Sequence, residues 1–312
     1  MRVFLATREN SHSDAIVQFA EKELSKEKSI VDFSTINSDK QLIEFRRHLQ
    51  QNEIDVIAMD FEGEFNLHSY GEKLCLVQIY DGEVFYIIDP FNLSKKELKK
   101  TLESRVIKLF YGAGSDRMLA YKQYGIKIRS LFDLELLVDL LGFEKKGLDA
   151  VLYELFNIEV HNKKKYQMYN WVTRPITKDA IQYALSDVEH LFRLKDTLLD
   201  MIKHRDMVER LAYSFARLSI NYDSERIPGV KKMQGYRSLK AEEKRVFDKV
   251  FEIRERIAKR LDHSPHYVLS NEQLFSISRH RVAVSDLIFG KKISTSVQNE
   301  LSGLLTKILT ER

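Results

Sequence analysis

Apolar residues recur along the chain with two different periods, and each period predicts a different element. The run Asp55-Val56-Ile57-Ala58-Met59 is continuously apolar after its first residue, which predicts a strand covered on both faces. Two more strand-like runs, Leu74 to Tyr80 and Val84 to Ile88, flank Asp81-Gly82, a dipeptide suited to a hairpin, so the three runs predict an antiparallel meander. Val106 to Tyr111 predicts a fourth strand. Helical spacing takes over elsewhere. Asp39 to Gln50 places Leu42, Ile43, Phe45 and Leu49 on one side, and Ser94 with Glu97 three residues on forms a capping-box pattern for a helix to Leu102. Ser115 is the expected cap of a helix ending at Gly125. Asp133–Leu141 and Leu148–Phe156 read as helices closed by Gly142 and Asn157, residues that tolerate a left-handed backbone. The pattern fades into an expected loop at 159–174, and Thr177 then caps one long helix to about Lys203. From Gly235 onward only helical spacing remains, as at Val246, Val250, Phe251, Ile253, Ile257 and Leu261. The predicted organisation is an α/β domain over residues 1–205, a helical connector over 206–234 and a small all-α domain over 235–312.

Composition narrows the class. The 312 residues include 12 Gly and 4 Pro, which leaves little room for linkers. Cys75, the single cysteine, sits in an apolar run; it excludes an internal disulfide and fits a reducing, cytoplasmic setting. The opening Met1 to Glu9 breaks its apolar stretch too early for a secretory core, and no run approaches a membrane span. A net charge of +4 names no partner, but its distribution is uneven: residues 206–312 carry 20 basic and 14 acidic side chains, the earlier residues 30 and 32. Contact with a polyanion is therefore expected to lean on the tail.

Candidate chemistry lies in three acidic elements. Asp60 and Glu62 follow the apolar strand, and alternation along a strand turns both to one face. Asp116 falls in the first turn of a helix after Tyr111-Gly112-Ala113-Gly114-Ser115; complementing the helix dipole would explain it equally well. Tyr183 and Asp187 are spaced to share a helical face flanking the stripe Ile181, Ala184, Leu185, Val188 and Leu191. Each element alone has a plain structural explanation. Together they supply oxygen ligands for hard cations, Mg²⁺ or Mn²⁺. Two such ions about 4 Å apart would activate a water and stabilise the leaving oxygen of an in-line displacement at phosphorus.

The order Asp60-x-Glu62, Asp116, Tyr183-x-x-x-Asp187 resembles the exonuclease motifs of the DEDD superfamily, tyrosine branch, and the surroundings resemble ribonuclease D. Supporting matches are Leu76-Val77-Gln78-Ile79-Tyr80-Asp81-Gly82, Ile88-Asp89-Pro90, Phe132-Asp133 and Trp171-x-x-Arg174-Pro175-Ile176-Thr177. The resemblance covers roughly residues 30–205. It implies an RNase H-like mixed sheet, a 3′→5′ exonuclease acting on single-stranded RNA 3′ ends, with tRNA precursors among the candidates, and release of nucleoside 5′-monophosphates. It also implies two divalent cations held directly by Asp60, Glu62 and Asp187 and through water by Asp116, with Tyr183 orienting the nucleophile. Two departures stand out. Gly63-Glu64-Phe65 follows Glu62 where the family often has an aromatic residue, leaving Glu62-x-Glu64 as an alternative frame, and Tyr111-Gly112 stands where a histidine is common. Leu239, Phe247, Glu252 to Ala258, Asp262-His263-Ser264-Pro265 and Leu274 to Ser278 resemble a helicase-and-RNase-D C-terminal (HRDC) domain, which implies nucleic-acid binding.

Lys164, Lys165, Trp171 and Arg174 are candidate nucleic-acid contacts, since basic residues beside aromatics suit single strands; a solvated loop around a buried tryptophan, with Arg174 in a structural ion pair, is the competing reading. His161, His190, His204, His263 and His266 form no ligand-spaced cluster, and phosphate-loop and dinucleotide signatures are absent. Two alternatives to the RNA-trimming reading stay open: a DNA-directed exonuclease, and a degenerate site on a nucleic-acid adaptor.

Overall fold

The computed structural model describes residues 32–160, 163–217, 222, 227–290 and 293–310. The N-terminal extension and His161 lie outside the described residues. Six strands, β1 (Phe33–Ile36), β2 (Val56–Phe65), β3 (Glu72–Tyr80), β4 (Phe85–Ile88), β5 (Ile107–Phe110) and β6 (Leu131–Asp133), form one sheet in the order β1-β4-β3-β2-β5-β6. The meander β2-β3-β4 is antiparallel as expected, whereas β1 pairs parallel to β4, and β5 parallel to β2 and β6, so the sheet is mixed.

Both faces are covered, which is why Ile57, Ala58 and Met59 are each at most 1% exposed and why β2 needed no polar alternation. On one face, Met59, Ile79 and Phe110 pack against α1 (Asp39–Gln51), α2 (Lys95–Leu102) and α3 (Gly114–Tyr124). On the other, Ala58 and Leu109 pack against α4 (Glu135–Leu141), α5 (Leu148–Phe156), α7 (Lys178–Glu189) and α8 (Leu191–His204). The pieces between are α6 (Lys163–Gln167) and, after α8, α9 (Val208–Ala216). The tail builds a separate core from α10 (Ala241–Leu261), α11 (Asn271–Ser278) and α12 (Thr295–Thr310) around Phe247, Val250, Leu274 and Leu301.

The tail docks on the turn between β2 and β3. Lys73 pairs with Asp262 at 3.0 Å, Asp262 also accepts the Tyr70 backbone N–H at 3.2 Å, and the Ser264 hydroxyl donates to the Asn66 carbonyl. Tyr70 packs against the tail core. Among the described residues no helix is long and apolar enough to cross a membrane.

Several expectations need correction. Strand β1 lies where no element was expected, and β6 takes Asp133 from the expected start of a helix; they are four and three residues long, too short for a period to register. The single helix expected from Thr177 to Lys203 is two, separated at His190, and both halves bury apolar faces in the same core. Helix α6 occupies part of the expected loop at 159–174. Ala113, not Ser115, caps α3, and Glu97 pairs with Arg46 and Lys100 instead of closing a capping box, although Ser94 does accept the Glu97 N–H.

Candidate metal centre

Asp60 and Glu62 lie in the interior of β2, which runs on to Phe65 beyond its expected end. Immediately after them the register slips: Glu62 faces Leu76, but Gly63 faces Leu74, a β-bulge that increases local twist. Gly63 makes the close packing there possible. A Cβ at this position would sit 2.8 Å from Leu119 of α3 and from the Phe65 ring. Its absence lets α3, which carries Asp116, lie against β2. Glu64 is diverted from the site: it is 1% exposed and its carboxylate accepts the backbone N–H groups of Leu67 and His68, clamping the next turn. The frame Asp60-x-Glu62 is therefore the one presented.

Asp116 is delivered by a braced loop. Gly112 has φ +73°, and the Gly112 and Ala113 N–H groups donate to the two oxygens of Asp133 at 2.8 and 2.9 Å. Asp133 also accepts the Glu135 N–H at 3.1 Å and is 7% exposed. This brace had no local sequence signal, because its partners are 20 and 21 residues away.

Helix α7, capped by the Thr177 hydroxyl, presents Tyr183 and Asp187 one turn apart on one face. Behind the phenol, Tyr166 of α6 stacks on Tyr183 with ring centroids 4.7 Å apart and 24° between planes. The Lys165 ammonium lies over the Tyr166 ring, 4.8 Å from its centroid. Tyr166 is thus a support for Tyr183 that the aromatic cluster in the sequence hinted at without locating.

These elements converge. Asp60, Glu62 and Asp187 each offer a carboxylate oxygen within 4.8 Å of the others. Asp116 stands outside that trio but adds to its negative field, raising Glu62 along with Asp60 and Asp187. Burial pushes the Asp60 carboxyl up to about 7, and burial followed by mutual repulsion holds Glu62, Asp116 and Asp187 well above the usual carboxylate range. Burial and the same carboxylates raise the Tyr183 phenol, so it remains a hydroxyl at neutral pH. Among the described residues no ion pair engages any of the four carboxylates; the nearest influence of a cation on Asp187 is Lys163, itself paired with Asp149 at 2.8 Å. Crowded, half-buried carboxylates in this arrangement are stable when a hard cation replaces the missing positive charge, so this donor set fits a divalent metal ion.

Two of the candidate nucleic-acid contacts have internal roles instead. The Arg174 guanidinium pairs with Asp89 at 2.7 and 3.1 Å and donates to the carbonyls of Cys75 and Trp171 at 2.6 Å, while its face lies over Phe91. Trp171 is 3% exposed and meets the Tyr169 ring edge-on, so no base can reach its face. Lys164 and Lys165 are exposed on α6, beside the Tyr183 support.

Comparison with known proteins agrees with the geometry. A family model described as 3′-5′ exonuclease matches residues 33–203, and an HRDC domain model matches residues 243–283. Human exosome complex component 10 is 26% identical over 85% of this chain and 31% of its own length. Ribonuclease D of Haemophilus influenzae is 27% identical over 52% of this chain and 40% of its own. The chain thus spans about a third of the length of the exosome relatives it matches. In fold, the catalytic core of RRP6 from Trypanosoma brucei superposes with a TM-score of 0.72 at 22% identity, covering 89% of this chain and 79% of that one. Escherichia coli RNase D gives 0.62 at 20% identity, covering 90% and 76%.

Proposed function

The chain belongs to the 3′-5′ exonuclease family, and on that premise we propose that it is a metal-dependent 3′→5′ exoribonuclease that trims single-stranded RNA ends to nucleoside 5′-monophosphates. The observation that carries this reading is the meeting of Asp60, Glu62 and Asp187 within 4.8 Å, with Asp116 adjacent. Asp60, Glu62 and Asp187 would hold a divalent cation directly, and Asp116 would reach it through water. Two divalent cations, Mg²⁺ or Mn²⁺, supply charge neutralisation and Lewis acidity for hydrolysis of a phosphodiester when bound. Tyr183, kept as a neutral phenol and fixed by Tyr166, orients the attacking water through its hydroxyl and is not its base.

Residues 1–205 form the nuclease, 206–234 the connector and 235–312 an HRDC-like module whose basic excess adds affinity for the phosphate backbone. Lys164 and Lys165 contact phosphates next to the site. The relatives' names, exosome component and ribonuclease D, favour RNA over DNA, and tRNA precursors are the first substrates to try. The buried Cys75 thiol suits a cytoplasmic setting.

Matched 5′-labelled RNA and single-stranded DNA, incubated with Mg²⁺ or EDTA, test the proposal. The expected result is an RNA ladder shortening from the 3′ end, abolished by EDTA and by Asp187→Ala. Faster loss of DNA would favour the repair reading. RNA binding without metal-dependent turnover would favour an adaptor.

A further inference from the structure

Gln78 lies in the middle of β3, is 0% exposed, and has no hydrogen-bond partner for either its amide nitrogen or its amide oxygen. The other buried side-chain atoms without a hydrogen bond among the described residues belong to Arg117, which is partly exposed, and to Asp248, whose oxygen is ion-paired with Lys231 at 2.7 Å. Gln78 therefore combines the deepest burial with the least satisfaction.

Its position in the register says where the amide points. Gln78 is directly opposite Asp60, and facing residues in an antiparallel pair share a side of the sheet. The neighbouring pairs Met59 with Ile79 and Phe61 with Val77 point the other way, into the core under α1, α2 and α3. The next pair on the Gln78 side, Ala58 with Tyr80, lies in the core under α7 and α8. Gln78 thus shares the Asp60 side of the sheet, which packs against α7, the helix that presents Tyr183 and Asp187.

An amide with no protein partner at this depth is costly, and leucine or methionine would fill the same volume without that cost. Its presence makes physical sense if the amide is bonded in a state the protein works in. We propose that Gln78 is a positioning residue for the metal-ligating carboxylates: with cations bound, its N–H donates, directly or across one trapped water, to the Asp60 carboxylate and holds it oriented for the cation. This inference rests on the metal-dependent reading of the site. Partners of this kind typically change metal affinity by about 10- to 100-fold when removed.

The test uses the full chain and Mn²⁺ alone as the probe. Gln78→Met keeps the length and approximate volume of the side chain while removing the amide. The expected outcome is a metal-free thermal midpoint equal to or above that of the parent, together with Mn²⁺ binding, read from the electron paramagnetic resonance of free Mn²⁺, weakened about 10- to 100-fold. A lower midpoint with unchanged Mn²⁺ affinity would make Gln78 a plain packing residue and overturn the proposal. A parent that fails to bind Mn²⁺ would instead bring down the metal reading, and this proposal with it. A second measurement needs no folded Gln78→Met. In protein labelled with ¹⁵N only at glutamine, the Gln78 side-chain NH₂ resonance, identified by its loss in Gln78→Asn, shifts when Mg²⁺ saturates the site; a resonance that stays in place refutes the contact.

Discussion

Asp133→Ala probes the link between a brace remote in sequence and the placement of a candidate ligand. In the parent, three backbone N–H groups share the Asp133 carboxylate, those of Gly112 at 2.8 Å, Ala113 at 2.9 Å and Glu135 at 3.1 Å. Hydrogen bonds to a charged acceptor contribute about 1.5–3 kcal/mol each. The Glu135 group lies at the start of a partly exposed helix, where water can replace the carboxylate, so the first two dominate. Because they share one acceptor, their losses do not simply add, and about 3–5 kcal/mol is the expected destabilisation. The measurement is the urea midpoint of parent and variant at equal slope. The loop so released carries Asp116 into α3, and kcat on labelled RNA is expected to fall more than KM rises. Asp133→Asn should lie between, since it keeps one acceptor oxygen but turns an NH₂ group toward a backbone donor. A stability loss below about 1 kcal/mol, or full activity in a destabilised Asp133→Ala, would refute the brace.

Three further outcomes follow from the geometry. Gly63→Ala places a Cβ 2.8 Å from Leu119 and Phe65, and should cost about 1–3 kcal/mol by overpacking while weakening Mn²⁺ binding through displaced α3; unchanged urea midpoints would contradict it. Tyr166→Leu removes the ring stacked on Tyr183, and should lower stability by about 0.5–1.5 kcal/mol and kcat severalfold with KM nearly constant, which steady-state kinetics checks. The raised folded-state values of Asp60, at about 7, and of Glu62, Asp116 and Asp187 favour the protonated site in metal-free protein. The Asp60 contribution is complete below about pH 4 and is lost as pH rises through about 7, with the other three raised in the same direction, so thermal midpoints in EDTA should fall as pH rises over that window, and Mg²⁺ should reverse the fall by replacing the protons.

The parts of the site legible in the sequence are those whose geometry is local. Strand alternation brings Asp60 and Glu62 to one side, and a helical turn joins Tyr183 to Asp187, so spacing alone predicted both pairs. The left-handed ends at Gly125, Gly142 and Asn157 were legible for the same reason. What escaped depends on partners distant along the chain. Asp133 acts across 20 residues, Tyr166 acts by stacking on another helix, and Gln78 owes its interest to a strand partner that only the register reveals. Arg174 and Trp171 stayed open between two readings because a basic residue near an aromatic looks alike whether it faces solvent or, as here, closes an internal network with Asp89 and Cys75. Glu64 shared the alternation of Asp60 and Glu62 on paper, and only the bulge at Gly63 separates it from them.

If Asp60, Glu62 and Asp187 form a divalent-metal site, an ion must sit among their carboxylates. The most direct measurement is the anomalous difference map of a crystal grown with Mn²⁺. A peak bounded by those three carboxylates, and absent in Asp187→Ala crystals prepared the same way, is the expected result. A map with no peak there, from crystals that carry Mn²⁺ elsewhere on the chain, would contradict it.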